Sequence, residues 1–94
     1  MKIIFEPDAT HDFETGNLVF FCTADGEPIR CAITEEALIM GLHVPPEAVL
    51  LPETFEKHRE KIHAIATLLM QEEGWNDLSG VLIKHSDILE HNPT

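Results

Sequence analysis

The sequence predicts an α+β fold: a two-layer sandwich in which a small sheet of about four strands, antiparallel or mixed, carries one long and one short helix on one face. Three observations predict it. The first is the run Ala24-Asp25-Gly26-Glu27-Pro28-Ile29-Arg30-Cys31-Ala32-Ile33-Thr34-Glu35-Glu36-Ala37-Leu38, where turn, strand, cap and helix signals follow one another without a gap. Asp-Gly and Pro supply turn chemistry. Ile29, Cys31 and Ile33 alternate with Arg30 and Ala32, the period of a half-buried strand. Thr34 has the hydroxyl of a helix N-cap, and Glu35 and Glu36 suit the positive end of the helix dipole. The second observation is the helical spacing of Phe55, Ile62, Ile65, Ala66 and Leu69, which defines one apolar side of a long helix. The third is the chain order of strands, helices and then a strand, the order of a sheet with its helices gathered on one side.

Taken in order, residues 2–5 read as a short first strand, and Pro7 to Asn17 as a polar connection with turn signals at Thr15-Gly16-Asn17. Leu18-Val19-Phe20-Phe21-Cys22-Thr23-Ala24 is rich in strand formers. A four-residue turn, Asp25 to Pro28, leads into a strand at 29–33, so the pair forms a hairpin or part of a meander. A short helix follows Thr34 and stops near Gly41, a residue suited to the C′ position. Val44-Pro45-Pro46 breaks regular structure, and Pro46 to Leu50 reads as one further turn. The long helix runs from about Glu53 to Glu73. Its outer side holds Glu56, Lys57, Glu60 and Lys61, with like charges four apart, while Glu56 is placed to meet Arg59. Gly74 ends it. Trp75-Asn76-Asp77 reads as loop and 79–84 as a last strand whose direction the sequence leaves open. Ser86 to Leu89 reads as a terminal turn, and His91 to Thr94 is expected to fray.

The bulk numbers describe one domain over residues 1–94. A chain of 94 residues buries roughly 60–65% of the surface exposed on unfolding, which supports one modest core. Seventeen acidic residues against six Lys and Arg give a formal charge of −11. Phosphate backbones and anionic membranes are repelled by such a chain, so nucleic-acid and membrane partners are not expected. The N-terminal apolar run, Ile3-Ile4-Phe5, is too short for a signal peptide, and no stretch approaches a membrane span. The expected location is the cytoplasm, where Cys22 and Cys31 stay reduced.

The whole pattern resembles DUF1488, a family of short proteobacterial proteins of unknown function. The likeness rests on Asp25-Gly26, on Ile29-Arg30-Cys31-Ala32-Ile33-Thr34-Glu35-Glu36-Ala37-Leu38, on Phe55, His58-Arg59, Ile62 and Ile65-Ala66, and on Gly80-Val81-Leu82-Ile83 with Ser86-Asp87-Ile88. It covers nearly the whole chain. The resemblance implies a small α+β fold in a bacterial cytoplasm. It brings no catalytic residue, cofactor or substrate. The linker with Pro45-Pro46 and Pro52 looks longer here than the passage between helices usual in the family.

Raw material for chemistry is thin. With a four-residue turn, Cys22 faces Cys31 across the hairpin, on the side shared by Leu18, Phe20, Ile29 and Ile33. Two buried thiols acting as small hydrophobes are the plain expectation, since a reactive thiolate wants nearby positive charge and Arg30 points to the other side. Six histidines lie at 11, 43, 58, 63, 85 and 91 without zinc-site spacing. The two serines, Ser79 and Ser86, sit in no nucleophile elbow, and the five glycines form no phosphate loop. We therefore expect no enzyme, no cofactor and no metal. The competing reading is a small-ligand or metal site centred on Cys22 and Cys31, with His63 or His85 beside them.

The sheet's second face is harder to explain as structure alone. Val19 and Phe21 alternate with the core set and so point away from it. Ala32 lies on the matching face of the next strand, and Leu82 joins them if Val81 and Ile83 face the helices. One long helix covers one face only. An apolar second face implies association, so the expected partner is a protein, foremost a second copy of the chain, across Val19, Phe21, Ala32 and Leu82.

Overall fold

The computed structural model of the chain describes residues 2–74 and 80–91. Four strands form one sheet in the order β1 (Ile3–His11), β2 (Leu18–Ala24), β3 (Glu27–Ile33) and β4 (Val81–Ile83). The first three make an antiparallel meander, and β4 lies parallel to β3, with Cys31, Ala32 and Ile33 opposite Val81, Leu82 and Ile83. The sheet is thus mixed, which settles the direction of the last strand. Helix α1 (Pro52–Glu73) makes the crossover from β3 to β4, and the short α2 (His85–His91) follows. Helix α1 contacts β1 and β4, α2 contacts α1 and a wide helical turn at Ala37–Gly41, and the core they share with the sheet is built from Phe20, Cys22, Ile29, Cys31, Ile33, Leu38, Ile62, Ile83 and Ile88 with their neighbours.

Local chemistry explains each element. Asp25 and Gly26 both have positive φ, 51° and 85°, the signature of a two-residue type I′ turn, for which Asp-Gly is a preferred pair. The expected four-residue turn is therefore corrected to two residues, and Ala24 faces Glu27. Pro28 sits inside β3 opposite Thr23. The pair beside a two-residue turn exchanges hydrogen bonds and the next pair does not, so β2 asks Pro28 for no amide hydrogen. The register moves by two residues relative to expectation, which keeps every side chain on its expected face. Cys22 now lies opposite Ile29 and Cys31 opposite Phe20.

β1 is longer than the expected strand at 2–5. It advances from Phe5 to Ala9 while β2 moves only from Cys22 to Phe20, a bulge around Pro7, and then resumes pairing to His11. The segment from Pro7 that reads as loop is thus half strand. The hydroxyl of Thr34 accepts a hydrogen bond from the Ala37 amide at 3.0 Å, the expected cap. The left-handed residue that closes this turn is His43, φ 60°, rather than Gly41. Gly41 is needed for space: a Cβ there would come within 2.7 Å of Ile88 Cδ1.

Helix α1 starts at Pro52, which has no amide hydrogen to leave unpaired in the first turn. It buries Phe55, Ile62, Ile65, Ala66, Leu69 and Met70, each large side chain contributing about 1.5–3 kcal/mol on leaving water. Its outer side carries the anticipated Glu56–Arg59 ion pair, and Gly74 terminates it with φ 73°. Gly80 enters β4 at φ +63°, where a Cβ would fall 1.9 Å from the Arg30 carbonyl oxygen; only glycine fits. Trp75-Asn76-Asp77, Ser79 and the end of the expected fraying tail, 92–94, lie outside the described residues. At the start of α2 the Asp87 carboxylate accepts the Lys84 amide hydrogen at 2.8 Å, so this buried acid is satisfied by the backbone.

Candidate interaction face

The open face is built by strand alternation. Register puts Thr10, Val19, Ala32 and Leu82 in one row across it and Phe21 beside Arg30 in the next, with Ile4 beside Thr23 beyond. Phe21, Leu82 and Ile4 are 42%, 43% and 56% exposed. Val19 and Ala32 are only 6% and 3% exposed, so the expectation of four exposed apolar residues is corrected to two of that set. For Val19 the cause is a neighbour's length. Arg30 reaches Asp12 with its guanidinium 3.6 Å from Oδ2, and in the register the path from Arg30 on β3 to Asp12 past the end of β1 runs over Val19. A long cationic side chain covers apolar surface with its methylenes while its head stays wet. What remains exposed is a diagonal apolar set, Ile4, Phe21 and Leu82, from β1 to β4, with the buried Ala32 between Phe21 and Leu82. Ile4 is the member that sequence reasoning missed; alternation with Ile3 and Phe5 was the available signal.

Cys22 and Cys31 are diagonal neighbours on the buried face, with Sγ atoms 3.9 Å apart and both thiols free. Burial pushes the Cys22 thiol above its ordinary value, and burial followed by the neighbouring Cys22 pushes Cys31 far higher. Neither is poised as a thiolate. The histidines of the competing reading have other partners. His63 stacks on Phe5 with ring centroids 3.9 Å apart and planes within 7°, and packs against Phe20 and Phe55 as well. His85 lies past the Ile33–Ile83 end of the sheet, 3.7 Å from the Glu36 carboxylate. Among the described residues no group of three or more His, Cys, Asp or Glu is arranged to hold a metal ion. No helix among them is long and apolar enough to cross a membrane.

A family model described as "Protein of unknown function (DUF1488)" matches residues 3–83. The chain belongs to the DUF1488 family. Its fold is shared by a crystal structure at 1.60 Å of a protein of unknown function from the same family in Shewanella loihica PV-4, at a TM-score of 0.71 and 24% identity. That likeness covers 88% of this chain and 94% of the other. No curated protein matches the chain. The DUF1488 match takes in β1 to β4 and so the whole open face. The linker with Pro45-Pro46 and Pro52 holds a 3₁₀ turn, Pro46–Ala48, three residues before α1.

Proposed function

We propose that this chain is a non-enzymatic protein that works through protein contacts, and that it pairs with a second copy of itself across the open face of the sheet. The observation that carries the reading is the exposed band of Ile4, Phe21 and Leu82 on the face opposite the helices. A band of this kind is self-complementary when two copies meet about a two-fold axis, because each copy presents the same surface to the other. Burying it removes apolar area from water at about 25 cal/mol per Å². Cys22 and Cys31 contribute as core filling, consistent with their burial and raised pKa values. We propose the cytoplasm as the place of action, the compartment in which two free thiols persist.

Light scattering on the wild type and on Phe21→Asp tests the pairing. The wild type at micromolar concentration is expected at twice the chain mass and Phe21→Asp at the chain mass. A wild-type monomer unchanged by the substitution would remove the self-pairing, and a wild-type monomer that gains mass only in cell extract would shift the face to a different protein.

A further inference from the structure

A second surface lies at the opposite edge of the molecule from β4, between the bulge of β1 and the entrance to α1. There the backbone leaves a groove of about 360 Å³, at the low end of the roughly 300–1,000 Å³ typical of ligand sites. Its floor is apolar and buried, formed by Leu18, Val49 and Phe55. Its lip holds Leu50 and Leu51, 61% and 46% exposed, side chains that do not turn inward although the core is one residue away. His11 lines the groove too, and its Nδ1 is buried without a hydrogen-bond partner. A buried polar atom left unpaired is uncommon in a finished surface.

Charge indicates the occupant. The two stretches that build the walls, residues 6–17 and 42–56, contain Glu6, Asp8, Asp12, Glu14, Glu47, Glu53 and Glu56 but no Lys or Arg. The first cation along α1 is Lys57, followed by Arg59, which Glu56 engages, and Asp12 is engaged by Arg30. An apolar slot with an acidic surround attracts a segment that offers apolar side chains on one side and positive charge on the other. A free anion is repelled, and a second copy, acidic itself, is disfavoured at this edge.

We propose that the groove between the β1 bulge and the N-terminal end of α1 docks a basic amphipathic segment of a partner protein, whose apolar side chains enter between His11 and Leu50 while its Lys or Arg residues meet Asp8 and the neighbouring acids. This surface is separate from the sheet face proposed for self-pairing, so either can fail alone.

The probe is a fluorescent helical peptide with leucines on one side and lysines on the other, titrated into the full chain and read by anisotropy and by amide shifts. The expected result is saturable binding that weakens several-fold as salt is raised, with shifts gathered at residues 7–11 and 49–56. Leu50→Lys and, independently, Asp8→Lys are expected to weaken it roughly tenfold with unchanged thermal midpoints, while Phe21→Asp leaves it unaltered. Absence of saturable binding, equal binding of a peptide with glutamates in place of the lysines, or indifference to both groove variants would overturn the proposal. So would shifts gathered at Ile4, Phe21 and Leu82, which would transfer the peptide to the sheet face.

Discussion

His63 sits among the rings of Phe5, Phe20 and Phe55. It lies flat on Phe5, its Nε2 is buried without a partner among the described residues, and burial, followed by the charge of Arg59, holds its pKa below the ordinary histidine value. The sign follows from the reference state. The unfolded chain takes up a proton near pH 6.5, whereas the folded chain resists it to lower pH. The contribution of a neutral His63 is therefore complete above the unfolded pKa, declines as pH falls through it, and stops changing once pH is below the folded pKa. Urea unfolding between about pH 8 and pH 5 is expected to show a shallower acid decline in His63→Leu than in wild type. A residual decline persists in that variant because burial, with Lys57 and Lys61, lowers His58 in the same direction. Identical pH slopes in the two proteins would contradict this account. Residue-scale reading from sequence did well where one side chain acts on its own backbone, as with Thr34 capping Ala37. It failed where a side chain from another strand intervenes. Nothing in the spacing of Val19 announces that Arg30 will stretch over it to Asp12.

Between helical elements, Gly41 permits one close contact. Ile88 of α2 presses against the helical turn where any Cβ would intrude, with Cδ1 nearest and Cγ2 and Cβ just behind. Gly41→Ala is expected to cost about 1–3 kcal/mol through overpacking. Trimming Cδ1 with Ile88→Val relieves part of the clash, so denaturant titration of the double variant should show a cost smaller than the sum of the two single costs by on the order of 1 kcal/mol. Strict additivity would mean that α2 is not seated against this turn. The elements themselves were largely legible. The five α1 positions read as an apolar side are all buried, because helical spacing over about four turns leaves little room for another interpretation. The hairpin turn was misjudged because Pro28 looks like turn chemistry, yet a proline in a pair that exchanges no hydrogen bonds does no harm to a strand. The outer half of β1 escaped because Pro7 and Asp8 occupy a bulge, which has no period of its own.

Across the whole molecule, the mixed two-layer architecture follows from a simple shortage. A chain of 94 residues supplies helix enough for one side of a four-stranded sheet, so the other side meets solvent or a partner. The fold class and the face on which each core residue lies were legible because alternation survives a register change of two. The amount of apolar surface left over was not, because it depends on side chains that cross between strands. The parallel pairing of β4 with β3 likewise depends on where the crossover through α1 delivers the chain, which no local signal encodes.

A charge of −11 on each copy makes the proposed pairing distinctive. Two such copies repel, and salt screens that repulsion while leaving apolar attraction in place. Sedimentation equilibrium of the wild type and Phe21→Asp at about 0.05 and 0.5 M salt therefore addresses the central claim. The account predicts a wild-type dimer that tightens as salt rises and a variant that is monomeric at both concentrations. A wild-type chain that stays monomeric in both, or a variant that dimerises as well as the wild type, would contradict it.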